Sequence, residues 1–237
     1  MSTTGVPAKG AGVGAAIGQS LPIAIGVMVS PLPIVAVVLM LLSNNAKANA
    51  FAFVLTWLVG IALLTGIVAF LAAASTGADE TPPVWVSVVK IVLGAGLLLL
   101  SVKNWRDRPG EGQEPPAPKW MAALDGFTPV KSAGLSVVLA DVNPKNLLLV
   151  VSGGAAIASG AAGSTSAKVT ATIVFAVVAS LGVAAPVVIY FALGDRAPGV
   201  LDRMKAWMGQ NNAVIMTILS LIIGVKLIGQ ALGGLTS

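Results

Sequence analysis

Ala140-Asp141-Val142-Asn143-Pro144-Lys145-Asn146 is the stretch on which the reading of this chain turns. It lies inside an otherwise apolar run from about Ser136 to Ile157. A carboxylate, an ammonium, two amides and a proline thus fall where a membrane span is expected. On insertion scales a central Asp or Lys costs roughly 2.5–3.5 kcal/mol. Proline removes a helix hydrogen bond and clashes with the carbonyl four residues back. In lipid such a break is tolerated only where it faces protein or a wet cavity. The stretch is therefore expected to wall a polar site inside a membrane protein.

The composition agrees with a membrane setting. Of 237 residues, 56% are hydrophobic and 10% charged, and the mean hydropathy is +0.93. Soluble domains carry about 25% charged residues. The chain has no cysteine, which excludes a disulfide framework and thiolate metal sites. It has no histidine, so a proton-linked step would fall to a carboxylate, a lysine or water. No cofactor is expected. No cleavable signal peptide is expected either, because the first apolar run exceeds a signal core of about 7–15 residues.

Outward from the opening stretch, six apolar spans can be laid along the chain. They run about Ala15–Ser43, Ala50–Ala74, Val84–Val102, Ala133–Ser159, Lys168–Leu193 and Ala213–Leu235. Each is long enough for a hydrocarbon core of about 30 Å. Gly10, Gly14 and Gly18 form a small-residue stripe that suits close helix packing, unless the N-terminus is simply flexible. Ser75–Pro83 reads as a loop carrying Asp79 and Glu80. Lys103–Lys131 holds five prolines and nine charges and reads as a linker, with a short interfacial helix around Trp120–Leu124. Gly160–Ala167 and Gly194–Asn212 read as loops, the second with an interfacial Leu201–Trp207 segment.

Basic residues set the orientation. Lys47, Lys103, Arg106, Arg108, Lys119, Lys131, Arg196, Arg203 and Lys205 follow spans one, three and five, whereas the other side holds Lys9 and Lys168. The positive-inside rule then puts both termini outside and the 103–132 linker in the cytoplasm. The fold expected is all-α and polytopic: six transmembrane helices as two inverted three-helix repeats, 1–102 and 133–237. Three spans per half invert the second half relative to the first. Both halves open with a proline-broken span, at Ser30-Pro31-Leu32-Pro33 and at Asn143-Pro144-Lys145. Both close with a lysine ahead of glycine, Lys90 with Gly94 and Lys226 with Gly229. Paired interrupted helices point to a transport site near the midplane.

The candidate site is the space between the two breaks. It comprises Asp141, Asn143, Pro144, Lys145 and Asn146 on one side, Ser30, Pro31 and Pro33 on the other, and Lys226 nearby. Asp141 and Lys145 are four apart and would share a face of a continuous helix. They form either a structural pair, or a coupling carboxylate and a contact for an anionic or carbonyl group. Asn143 and Asn146 can donate and accept in the same cavity. Lys226 either snorkels outward or acts as counter-ion to Asp141. No spacing defines an acid–base pair, so an enzyme is not expected.

The segment Leu139-Ala140-Asp141-Val142-Asn143-Pro144-Lys145-Asn146 resembles the Asn-Pro-Lys segment of the LysE/RhtB exporter superfamily. Pro31-Leu32-Pro33 stands where that superfamily has Pro-Gly-Pro, with Leu32 replacing the glycine. The span with Lys90, Gly94 and leucines to Leu100 resembles its lysine–glycine–leucine helix. The Pro-rich linker and the Ser-Pro-Leu-Pro form are most similar to the GAP family of peptidoglycolipid- and sulfolipid-addressing proteins. The resemblance implies a LysE-like fold in the cytoplasmic membrane and export of an envelope glycolipid or related metabolite. The expected partner is a membrane lipid or glycolipid, with no nucleic acid. A homodimer and a larger envelope-lipid transporter or synthase are the protein partners left open. Two alternatives keep the same residues: a non-transporting scaffold for envelope-lipid assembly, and a small amino-acid or cation exporter.

Overall fold

A computed structural model describes residues 11–43, 45–74, 84–108 and 126–236. Among these residues the chain is helical, with no strand. The helices are α1 (Ala11–Met28), α2 (Pro31–Leu41), α3 (Ala46–Ala74), α4 (Val84–Arg106), α5 (Pro129–Val137), α6 (Pro144–Gly160), α7 (Thr165–Leu193) and α8 (Ala197–Thr236). A π-helical turn, Val138–Val142, joins α5 to α6.

Three stretches are long and apolar enough to cross a membrane: Ala46–Ala72, Ser87–Arg106 and Thr165–Gly234. Two bent pairs raise the number to five. α1 and α2 meet at 49°, and α5 with its π turn meets α6 at 64°. Proline begins the second helix of each pair, where its missing N–H would have no partner in any case. The α region is disfavoured for the residue before proline. Ser30 and Asn143 are accordingly extended, at φ −63°, ψ 111° and φ −60°, ψ 118°.

Packing is set by small residues. Gly160 of α6 lies against the Ala16 backbone of α1, and a Cβ there would meet Ala16 Cα at 2.5 Å. Gly26 of α1 faces Ile223 and Leu149. α4 and α8 cross at Gly94 and Gly224, where a Cβ on either would come 2.9 Å from the other's carbonyl oxygen. Their antiparallel pairing also joins Ser101 to the Thr217 carbonyl at 2.9 Å. α5 lies parallel to α3: Asn49 Nδ2 donates to the Phe127 carbonyl at 2.9 Å, and Ser136 Oγ to the Phe53 carbonyl at 2.9 Å. α1 lies parallel to α7, with Gly12 beside Ala167 and the Met28 carbonyl directly against Gly182. α2 packs on α8, and α6 packs on α4.

Several boundaries differ from the sequence reading. α4 continues to Arg106 and α5 begins at Pro129, so both ends of the expected linker are helical. The expected loop 194–212 is largely the first part of α8, because Ala197, Leu201 and Met208 are buried at helical spacing. Gly14 and Gly18 pack against nothing; Gly12, Gly26 and Gly160 make the close approaches instead. Gly10, the Ser75–Pro83 loop with Asp79 and Glu80, and the Trp120–Leu124 segment lie outside the described residues.

Candidate functional site

The second break is held by its own side chains. Asn143 Oδ1 accepts from the Lys145 backbone N–H at 3.1 Å and so caps α6. The π turn and the break free carbonyls of the preceding turn. Fully buried Asn146 donates from Nδ2 to one of them, Leu139, at 2.7 Å. The Asn143 backbone N–H reaches the Val138 carbonyl at 2.7 Å. The Asn143 oxygen and the Asn146 amide N–H are therefore engaged with local backbone, rather than free in a cavity. Asn146 Oδ1 is buried without a partner.

Asp141 and Lys145 do not share one helical face, because the break falls between them. Among the described residues neither forms an ion pair. Asp141 instead turns to α3. Its Oδ2 fills the place a side chain on Gly60 would take, 2.5 Å from an ideal Cβ there. Its Oδ1 is buried and has no hydrogen-bond partner. A buried carboxylate oxygen without a donor is costly, and native proteins rarely leave one so.

Asp141 lines a cavity of about 610 Å³ between α3 and the α5–α6 break. The other walls include Leu55, Val59, Gly60, Leu63 and Ile67 of α3, with Val137 and Leu147. Asp141 is the charged group among them, and Thr56 is the other polar one. Leu55, Val59, Leu63 and Ile67 recur every four residues, and each is exposed, Leu63 at 61%. The cavity therefore opens sideways on an apolar face of α3.

The first break is closed by comparison. Ser30 is buried, its side chain makes no cap hydrogen bond, and Pro31 and Pro33 are buried in the core beside it. None of the three lines the Asp141 cavity. Pro144 begins α6 and is exposed. Lys226 donates from Nζ to the Gln19 carbonyl on α1 at 2.8 Å. It is thus a tie between α8 and α1, and not a counter-ion to Asp141. Gln19 lies next to Gly18, whose carbonyl loses its helical donor at Pro22. Gly60 and the α3 stripe are the lining residues sequence reasoning missed. Gly60 stood out only as a glycine in a bulky run, and α3 is apolar all round, so periodicity marks no face.

Apolar helices that bury a charged, broken segment define an all-helical, multi-pass membrane protein. Residues 21–233 match the family described as Sap, sulfolipid-1-addressing protein (SfLAP), and the chain belongs to that family. This agrees with the resemblance to the GAP family. No match to the chain was found among curated proteins or among solved structures.

Proposed function

We propose that the chain is an exporter or flippase that carries a polar lipid, glycolipid precursor or related metabolite across the cytoplasmic membrane. Movement would be by alternating access about the two proline breaks. The observation that carries this reading is their match: Ser30-Pro31 and Asn143-Pro144 have the same backbone geometry, and each begins a half-helix. Half-helix N-termini carry partial positive charge into the break, and Lys145 adds to it. Membership of a family described as sulfolipid-1-addressing supports an envelope lipid as cargo. A cavity that opens sideways onto an apolar face favours lipid over a soluble amino acid or cation.

In this reading the chain has six spans in two inverted three-helix repeats of LysE-like form. As one straight helix, the 70-residue run Thr165–Gly234 would measure roughly 105 Å at 1.5 Å per residue. A hydrocarbon core is only about 30 Å thick. Gly194, at φ 50°, breaks the run between α7 and α8, so it counts as two spans. Exchange of the halves supports the repeat. α1 on α7 corresponds to α5 on α3, both parallel, and α2 on α8 corresponds to α6 on α4. Two residues before each break, Met28 meets Gly182 and Asp141 meets Gly60. The excess of basic residues after spans one, three and five supports an orientation with both termini outside and the 103–132 linker in the cytoplasm. A second copy, or a larger envelope-lipid transporter or synthase, would be the protein partner.

The test is movement of a fluorescent glycolipid between leaflets of liposomes holding this protein alone. Wild type moves it; Asp141→Asn and Lys145→Ala do not, while inserting at wild-type abundance. Wild-type rates from both variants remove the site. No movement by well-folded wild type returns the chain to the scaffold reading.

A further inference from the structure

The geometry points to a lateral lipid seat on α3: an acyl chain lies along Leu55, Val59, Leu63 and Ile67, and an uncharged hydroxyl of its headgroup donates to Asp141. The substrate class rests on the lipid reading above; the seat itself is argued from this face alone. Four observations converge on it. The stripe from Leu55 to Ile67 is roughly 18 Å long at 1.5 Å per residue. One leaflet of a hydrocarbon core of about 30 Å is roughly 15 Å, so an acyl chain fits the stripe lengthwise. The cavity beside it holds about 610 Å³ and opens sideways, so a lipid can enter from the bilayer without leaving it.

The headgroup chemistry follows from Asp141. Asp141 lines the cavity, and among the described residues no donor reaches its carboxylate; Oδ1 is enclosed by protein, so Oδ2 is the oxygen a bound hydroxyl can meet. The donor is best uncharged. An anion there would face the Asp141 carboxylate, and a cation would have to shed its water in a cavity whose lining, apart from Asp141 and Thr56, is apolar. A glycosyl or polyol hydroxyl meets neither objection. Gly60 is the positioning residue, because its missing side chain leaves the volume that the carboxylate occupies.

The experiment uses the whole chain in phosphatidylcholine nanodiscs with two photoreactive probes. One is a glucosyl diacylglycerol with a diazirine in its acyl chain; the other is the same lipid with every sugar hydroxyl acetylated. Adducts are mapped by mass spectrometry. The free-hydroxyl probe should label Leu55–Ile67 roughly tenfold more than the acetylated one, the worth of one hydrogen bond to a charged acceptor. Asp141→Ala should erase that preference, and Leu63→Trp should lower labelling by both probes. Equal labelling of wild type by the two probes overturns the headgroup contact. Labelling of Leu55–Ile67 no stronger than of the exposed α4 face at Val92 and Leu99 overturns the seat. Both comparisons use wild type, so neither depends on a variant folding. Labelling as expected without lipid movement in liposomes sinks the transport reading alone; movement without the hydroxyl preference sinks this inference alone.

Discussion

Ser30 and Asn143 hold the same backbone conformation within 10° at both angles, each directly before a proline that opens a helix. The two sites share no side-chain chemistry. Asn143 caps its helix, and Ser30 makes no cap bond. What they share is the following ring, which disfavours the α region for the residue before it; Leu21 and Ala185, which precede Pro22 and Pro186, nevertheless stay helical. Because both breaks have the proline and only one has the cap, the proline ranks ahead of the cap as the cause of the bend.

That ranking predicts the effect of Pro144→Ala. Alanine restores an N–H and frees Asn143 to become helical, so α5 and α6 should straighten from their 64° bend. The chain has no cysteine, so spin labels at Val130→Cys and Ser159→Cys report one distance. Straightening should lengthen it by roughly 6 Å at 1.5 Å per residue. An unchanged distance would assign the bend to the π turn instead.

A second prediction separates two glycines that look alike in sequence. A Cβ on Gly182 would collide with the Met28 carbonyl, which is backbone and cannot swing aside. A Cβ on Gly60 would collide with the Asp141 carboxylate, which can. Gly182→Ala should therefore cost about 1–3 kcal/mol in thermal unfolding, the usual cost of overpacking. Gly60→Ala should unfold near the wild-type temperature yet lose lipid movement. Equal destabilisation by both would show that Asp141 is fixed as rigidly as backbone.

The difference between those glycines marks where the sequence stops being informative. The spans were legible because apolar length is a local property, and the breaks because proline acts on its immediate neighbours. Asp141 was legible as costly, since a charge in an apolar run is visible at once. Its partner surface was not. Every face of α3 is apolar, so nothing in the order of residues says which one meets α5 and which is left open. Asn143 binds a first-turn N–H of α6, and Asn146 a carbonyl freed by a π turn that leaves no sequence mark, so neither role shows in the order of residues. The two readings of Lys226 could not be decided from sequence for a similar reason: its partner is a backbone carbonyl, Gln19, and any residue carries one.

Asn146 should accordingly matter for stability more than for binding. Its amide ties α6 to the Leu139 carbonyl across the break, in a fully buried setting. Asn146→Ala leaves that carbonyl unsatisfied and should cost about 1–3 kcal/mol in denaturant unfolding. The hydroxyl preference at Asp141 should persist in the molecules that remain folded. Loss of the preference with stability unchanged would move Asn146 into the binding site.

The last prediction concerns Asp141 and Lys226. A counter-ion pair and two unrelated charges give different answers in a double-mutant cycle of Asp141→Asn and Lys226→Met. Lys226 donates to Gln19, and Asp141 abuts Gly60 with no ion pair. Met keeps most of the apolar stem and removes the donor to the Gln19 carbonyl, so Lys226→Met alone should loosen α8 from α1 and lower the unfolding temperature. Asp141→Asn removes a charge that no cation balances, so alone it should leave the unfolding temperature unchanged or raise it. Independent sites add to within about 0.3–0.5 kcal/mol, and the double variant should fall in that range. A coupling above about 1 kcal/mol would mean the two charges meet in some state of the protein. The α1–α8 tie would then be a contact that opens in that state rather than a fixed one.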